Sequence, residues 1–151
     1  MKLFQQLVLE DTVEIKTPPE KIWEFWVNMD KNYQAWHPED HILFRWTKGS
    51  PMAEGSRVYA EETVGGKLLK GTVTCVGVVP NRKFGLKLPF PRSLFVRYEY
   101  VIEPRGENTT FTAYTYLRYP FFAGKRIQSA VEVGKKHIRE EGENLKAILE
   151  S

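Results

Sequence analysis

His137 and Glu141 are four residues apart in a segment, residues 124–151, whose apolar residues recur with the period of an α-helix. On such a helix both side chains lie on the side that carries the apolar residues Ile127, Val131, Gly134, Ile138, Leu145 and Ile148. A carboxylate in an apolar stripe requires a partner, because an unpaired buried charge is very costly. An imidazole nitrogen and a carboxylate oxygen one turn apart can bind a divalent metal together. Gly134 and Gly142 flank the pair and leave room for a ligand.

The other two of the three histidines occur in one short segment, Tyr33-Gln34-Ala35-Trp36-His37-Pro38-Glu39-Asp40-His41. A lone histidine is more often a hydrogen-bonding residue than a metal ligand. Three histidines confined to two such segments, one of them beside Glu141, favour a shared metal site. The segment offers His37 and His41 as ligands, and its residue types leave open which of the two is used.

A fourth ligand is available in the segment 57–64, which alternates with the period of a β-strand. Glu62 shares a face with Val58, Ala60 and Val64, so it is predicted to point inward, and Glu61 lies on the opposite face. The alternative is a shifted register in which both carboxylates lie at a solvated edge.

Positioning these residues requires elements that bring residues 33–62 beside residues 137–141. The patterns predict a strand over 7–16, a helix capped by Thr17 with Glu20 in a capping box, and a second helix over 30–36. They also predict a long helix from about Gly124 onward. Between the second and the last helix, strands are predicted over 42–46, 56–64, 67–79, 83–88, 94–103 and 109–118, with turns at Gly65-Gly66, Pro80-Asn81 and 105–108.

Composition limits the function classes. The chain has 151 residues, of which 42% are hydrophobic and 27% charged, and this indicates one globular domain spanning 1–151. The net charge of +3 comes from interspersed acids and bases, so it gives no support for a nucleic acid or a membrane as a partner. The polar residues that follow at once after Met1-Lys2-Leu3-Phe4 predict no secretory segment, and no apolar run is long enough to predict a membrane span. Cys75, the single cysteine, excludes an internal disulfide, is expected to be buried, and favours a cytoplasmic location.

This order of elements resembles the helix-grip fold of the START/Bet v 1-like superfamily, also called SRPBCC. The segment Val-Glu-Ile-Lys-Thr-Pro-Pro-Glu-Lys-Ile-Trp at 13–23 resembles the opening of that superfamily. The resemblance implies an α+β fold in which a curved, antiparallel, seven-stranded sheet surrounds a long C-terminal helix, with two short helices. It also implies a pocket for a small hydrophobic or aromatic molecule. Because the superfamily includes carriers, receptors, cyclases and hydrolases, the fold leaves the function open.

Within that superfamily, three features are similar to the diacetylphloroglucinol hydrolases and their relative phloretin hydrolase. They are the Tyr-x-x-Trp-His-Pro-x-Asp-His segment, an inward glutamate from the following hairpin, and a C-terminal helix with His-x-x-x-Glu. Those enzymes cleave the bond between an aromatic ring and an acyl group with a zinc ion held by two histidines and two glutamates. The resemblance implies zinc, or another divalent metal, on His41, Glu62, His137 and Glu141, with His37 as the alternative to His41.

The resemblance also implies roles for residues around the metal. Tyr33, His37 and Asp40 are predicted to be catalytic, by orienting ring hydroxyls or handling the proton. Tyr33, Trp36, Tyr98 and Tyr100 are predicted to bind the substrate. The 151-residue chain is much shorter than those hydrolases and is expected to lack their N-terminal extension, so the resemblance supports the metal site more directly than the substrate. A homodimer is one option for the assembly.

Two other functions fit the same sequence. One is a non-catalytic carrier or sensor of an aromatic or lipid ligand, in which the polar cluster bonds ligand oxygens. The other is a metal-free polyketide cyclase or dehydratase that uses histidine and glutamate as acid and base. In each case the apolar, proline-containing segments 87–92 and 119–124 are predicted at the mouth of the pocket.

Overall fold

The computed structural model of the protein describes residues 3–88 and 94–151. One antiparallel sheet contains the seven strands, and three helices pack against it. In chain order the elements are β1 (Phe4–Ile15), α1 (Pro19–Val27), α2 (Met29–Trp36), β2 (His41–Lys48), β3 (Arg57–Val64), β4 (Lys67–Val79), β5 (Lys83–Lys87), β6 (Phe95–Arg105), β7 (Asn108–Pro120) and α3 (Lys125–Glu150). The predicted fold class is confirmed.

The strands lie in the order β1-β7-β6-β5-β4-β3-β2. From β2 to β7 each strand pairs with the next in sequence, so short hairpins suffice for those connections. The exception is β1, which pairs with β7 from Phe4 opposite Pro120 to Ile15 opposite Thr109. The first and last strands of the chain are therefore neighbours, and β1 and β2 form the two edges.

The turn between β3 and β4 also fixes the position of that hairpin against α3. Gly65 and Gly66 have φ angles of 61° and 79°, the left-handed region required by a two-residue hairpin turn. A Cβ at Gly65 would lie 2.7 Å from a methyl carbon of Val133 in α3. Glycine is therefore needed here both for the turn and for the close approach of the hairpin to the helix.

The predicted cap of the first helix is wrong. The N-cap position of α1 is Pro18, with φ −73° and ψ 157°, and no side chain caps this helix within the described residues. Pro19 takes the first helical position, which suits its fixed φ and missing N–H. Thr17 is thus one residue too early to cap, and its carbonyl instead accepts a hydrogen bond of 2.6 Å from the hydroxyl of Thr109.

Aromatic side chains form much of the core between the short helices and the sheet. The ring of Trp26 lies 4.6 Å from Phe84, 4.9 Å from Trp36 and 4.9 Å from Tyr100, measured between centroids. Cys75 is buried as predicted, and burial, with a smaller effect from Glu54, raises the pKa of its thiol to about 11.

Helix α3 lies across the sheet for 26 residues, and its buried residues begin only at its tenth position, Gly134. Its buried residues are Gly134, His137, Ile138, Glu141, Gly142 and Leu145. In the part of the chain that the structure describes, no helix has the length and apolar character needed to span a membrane.

Candidate metal centre and ligand cavity

Four buried side chains converge between the sheet and α3. His41 begins β2 and lies opposite Glu62 of β3 in the sheet register. His137 and Glu141 are one turn apart on α3. Each residue contributes one nitrogen or carboxylate oxygen to a group whose atoms all lie within 4.8 Å of one another. We refer to these four residues as the His/Glu cluster.

Within the cluster, the Nε2 atoms of both histidines face the same two carboxylates. Nε2 of His41 lies 2.9 Å from Oε2 of Glu141 and 3.7 Å from Oε2 of Glu62. Nε2 of His137 lies 3.3 Å from Oε2 of Glu141 and 3.4 Å from Oε2 of Glu62. One shared position is thus surrounded by two nitrogens and two oxygens.

The remaining ring nitrogen of each histidine faces a group that only accepts hydrogen bonds. Nδ1 of His41 lies 2.9 Å from the backbone carbonyl oxygen of Tyr33, and Nδ1 of His137 lies 3.0 Å from Oδ2 of Asp40. Each Nδ1 therefore donates its hydrogen outward, so the lone pair of a neutral imidazole is on Nε2. Outward hydrogen bonds of this kind orient metal-binding histidines.

Tyrosine hydroxyls fix the position of Glu62. Tyr33 donates to Oε2 over 3.2 Å, and Tyr98 donates to Oε1 over 3.1 Å. The ring of Tyr33 also stacks on His41, with 3.9 Å between centroids and 2° between planes. Burial, followed by the charge of Glu62, raises the pKa of both hydroxyls well above the usual value, so both tyrosines are protonated donors.

The two buried carboxylates of the cluster, Glu62 and Glu141, need a positive charge beside them. Burial alone would lower the pKa of His137, but Glu141 and Glu62 outweigh it and raise that pKa to about 12. Burial alone would raise the pKa of Glu141, but His137 and His41 lower it to about 2. In the protein alone an imidazolium ion balances the carboxylates, and a divalent cation would supply the same compensation. Two imidazoles and two carboxylates form a donor set that suits zinc and similar divalent ions.

His37 and Glu61, the two residues that the sequence left as alternative ligands, both lie outside the His/Glu cluster. His37 lies outside the His/Glu cluster: its Nε2 is 3.3 Å from Oε1 of Glu140, and its Nδ1 accepts the backbone N–H of Asp40 over 3.3 Å. Glu61 lies on the other face of β3, where it accepts a hydrogen bond of 3.0 Å from Tyr59. His37, Asp40 and His137 form a second group with metal-binding atoms, which shares His137 with the cluster.

The turn between α2 and β2 is bound directly to α3. The indole N–H of Trp36 donates to the carbonyl oxygen of Glu141 over 2.9 Å, and the side-chain amide of Asn144 donates to the carbonyl of Trp36 over 2.9 Å. These bonds hold His41 in line with the helix ligands. Asn144 was not predicted from the sequence, and its position one turn after Glu141 is the one signal that could have identified it.

A cavity of about 550 Å³ lies beside the cluster and includes Glu62 and Glu141 in its wall. The predicted substrate-binding residues Tyr33, Trp36, Tyr98 and Tyr100 all line it. Within the described part of the chain, the lining includes neither His37 nor Asp40. The rest of the wall is largely apolar and contains Trp26, Phe44, Ala60, Leu69, Val73, Leu86 and Leu88.

The two segments predicted at the pocket mouth differ in outcome. Leu88 of segment 87–92 lines the cavity, whereas residues 89–92 lie outside the described residues. The segment 119–124 contributes no residue to the wall that the described residues form.

Comparison with known proteins gives one family and a consistent fold. The family model described as polyketide cyclase/dehydrase and lipid transport matches residues 6–150. No curated protein matches the chain by sequence.

Several solved structures share the fold of this chain. The major latex-like protein 151 of Panax ginseng is 12% identical with a TM-score of 0.74, and the match covers 98% of this chain and 99% of that chain. A START superfamily protein from Mycobacterium smegmatis is 16% identical with a TM-score of 0.68, over 95% of this chain and 97% of that one. A protein of Thermus thermophilus is 17% identical with a TM-score of 0.66, over 93% and 95% respectively. These similarities establish the Bet v 1-like helix-grip fold.

Proposed function

Because the chain belongs to the polyketide cyclase/dehydrase and lipid transport family, we propose that its cavity binds a small hydrophobic or aromatic molecule beside a divalent metal. The metal ligands in this proposal are His41, Glu62, His137 and Glu141. The observation that carries it is that Glu62 and Glu141 belong both to the His/Glu cluster and to the cavity wall. A molecule in the cavity would therefore contact the same carboxylates that bind the ion.

The chain prepares this site with its own hydrogen bonds. The Tyr33 carbonyl and the Asp40 carboxylate keep the Nε2 atoms of His41 and His137 directed at one position. Tyr33 and Tyr98 hold the Glu62 carboxylate through both of its oxygens. A bound zinc ion would supply Lewis acidity and a water molecule with a pKa lowered toward about 7.

Ligand specificity would come from the distribution of polar groups in the wall. The carboxylates of Glu62 and Glu141 and the hydroxyls of Tyr33 and Tyr98 lie at the cluster. The remaining wall is mostly aromatic or aliphatic, with Lys67, Lys70 and Thr72 of β4 as its other polar residues. Such a cavity suits a planar molecule with an apolar body and oxygen atoms at one end. Trp36 and Tyr100 line the same cavity and would contact the body of that molecule.

The reaction that fits this arrangement is hydrolysis of the carbon–carbon bond between an aromatic ring and an acyl group. The hydroxyl group of water ends on the acyl carbon, giving a carboxylic acid, and its proton ends on the ring carbon. Among the three predicted catalytic residues, Tyr33 lines the cavity and would orient ring hydroxyls. Asp40 would act through His137, and His37 through Glu140 and the backbone of Asp40. This finer proposal rests on the donor set, since the family also includes proteins of other functions.

Ligand carriage without turnover is the second candidate function. The largely apolar wall and the family assignment both favour it. Under this alternative, the His/Glu cluster would bind ligand oxygens.

The first experiment is elemental analysis of protein purified without chelator, beside His137→Ala and Glu141→Ala. Glu143→Gln is the matched control, because Glu143 is an exposed carboxylate on the same helix. We expect about one metal ion per chain in the wild type and the control, and none in the two alanine variants. Binding of an environment-sensitive hydrophobic dye measures the cavity separately.

Each outcome separates the candidate functions. Stoichiometric metal together with loss of aryl-ketone absorbance from an acylphloroglucinol supports the hydrolase. Stoichiometric metal and tight aryl-ketone binding without turnover contradicts the hydrolase and supports a carrier. If no metal binds even after zinc is added, the proposed metal centre is wrong. Cyclisation or dehydration of a polyketide-like compound by the metal-free protein would then identify a cyclase or dehydratase.

A further inference from the structure

A contiguous apolar surface lies where β7 ends and α3 begins. Phe121 and Phe122, in the connecting loop, expose 47% and 75% of their surface, and Leu3 and Phe4 expose 63% and 40%. Phe4 pairs with Pro120 in the sheet, and the backbone N–H of Phe121 donates to the carbonyl of Leu3 over 3.1 Å. We call these four residues the β7–α3 patch. Soluble proteins seldom expose several large apolar side chains together unless the surface binds something.

Cationic side chains surround this patch. Arg118, Lys125 and Arg126 are exposed, and the guanidinium carbon of Arg118 lies 4.8 Å from the centre of the Phe4 ring. The residues that carry the patch and these cations, 3–9 and 118–131, contain no aspartate or glutamate. The N-terminus of the 26-residue helix α3 adds its positive dipole end at the same place, and no side chain of the described residues caps it.

We propose that the β7–α3 patch binds the protein to the surface of an anionic lipid bilayer. Phe121 and Phe122 enter the headgroup region, where aromatic rings are favourable. Lys125 and Arg126 contact lipid phosphates, and Arg118 lies at the same surface. The protein lies on the bilayer rather than spanning it, because the apolar side chains come from a loop and a strand end.

Charge favours a bilayer over a second copy of the chain. A two-fold dimer through this patch would bring Arg118, Lys125 and Arg126 close to the same residues of the partner. Like charges at such an interface are unfavourable, whereas anionic headgroups compensate them. The sequence analysis predicted no membrane partner from the net charge of the whole chain. The net charge of the whole chain does not show whether cations are concentrated at one surface.

The test is co-sedimentation of the full chain with vesicles of phosphatidylcholine alone and of phosphatidylcholine with phosphatidylglycerol. We expect binding that requires phosphatidylglycerol and weakens at high salt. The double variant Phe121→Ser/Phe122→Ser should lower the affinity at least about tenfold. Lys125→Gln/Arg126→Gln should lower it about 30-fold, because each cation near an anionic surface contributes slightly more than about fivefold.

Val79→Ser is the control, because Val79 is an exposed apolar residue at the end of β4, outside the patch. It should bind vesicles as the wild type does, and thermal unfolding should show that all variants fold. Absence of sedimentation at low salt would overturn the proposal, as would an equal loss of binding in Val79→Ser. A wild-type dimer in light scattering that Phe121→Ser/Phe122→Ser dissociates, without vesicle binding, would assign the patch to self-association instead.

Discussion

Helix α3 can be divided at Gly134 into two parts, which we call its N-terminal half (residues 125–133) and its C-terminal half (residues 134–150). Both belong to the same amphipathic pattern, but they have different surroundings. Residues 134–145 include every buried residue of the helix, and residues 125–133 include none. The α2–β2 turn adds polar contacts to the buried part, beside the packing of β1 at Gly134 and Gly142. It contacts the C-terminal half through Trp36 with Glu141, Asp40 with His137, and Asn144 with Trp36.

The periodic sequence of α3 predicts which side of the helix faces the protein, but it does not predict where along the helix that side is buried. The apolar stripe correctly predicts which side of α3 faces the protein, and Ile127 and Val131 continue it toward the N-terminal end. Burial, however, depends on what another part of the chain places against that side. The polar contacts of the metal centre lie in the part of α3 that is buried.

The largest expected difference between the halves is in packing. Leu145→Ala should lower the free energy of unfolding by about 3 kcal/mol, because Leu145 is fully buried and its truncation leaves a cavity. Ile127→Ala should cost less than about 1 kcal/mol, because Ile127 is only partly buried. Urea denaturation followed by circular dichroism measures both. Equal losses in the two variants would show that the halves are held equally well.

The next prediction concerns the orientation of His137. Asp40→Asn replaces a carboxylate that only accepts with an amide that can also donate to Nδ1, so the ring should populate the other tautomer and bind metal about 10-fold to 100-fold more weakly. Nitrogen NMR of the imidazole in the zinc-loaded protein reports which ring nitrogen of His137 carries the hydrogen, and chelator competition reports the affinity.

Glu39→Gln is the control for that variant, because Glu39 is an exposed carboxylate in the same turn. An unchanged tautomer in Asp40→Asn would show that Asp40 does not orient His137. A loss of affinity in Glu39→Gln as large as in Asp40→Asn would assign the effect to the general charge of the turn.

The smallest expected effect isolates one hydrogen bond between the turn and the helix. Trp26 and Trp36 are both almost fully buried, but the indole N–H of Trp36 donates to Glu141, whereas that of Trp26 has no partner among the described residues. Trp36→Phe should therefore cost about 1 kcal/mol more than Trp26→Phe. Thermal denaturation of both variants measures the difference. A smaller loss for Trp36→Phe would mean that this bond contributes nothing to holding the helix.

Local patterns were sufficient for the elements and for part of the site. The alternation of β3 placed Glu62 on the inward face, and the glycine pair placed the β3–β4 hairpin correctly. The choice between His37 and His41 could not be made, because both lie near a turn where no periodicity relates residue number to direction. Asn144 was missed because its partner is a backbone carbonyl distant in sequence. The segment 119–124 was predicted at the pocket mouth, since its apolar composition does not distinguish a cavity rim from an exposed surface.

The pairing of β1 with β7 has a consequence for how the chain acquires its structure. Phe4 meets Pro120, and His41 meets Glu141, so the contacts that complete the sheet and the metal centre join parts of the chain about 100 residues apart. During synthesis the strands β2 to β6 can pair in order, but β1 must wait for β7, and His41 must wait for α3. Folding is therefore expected to be completed only after the last helix has left the ribosome, at a rate limited by long-range closure of the chain.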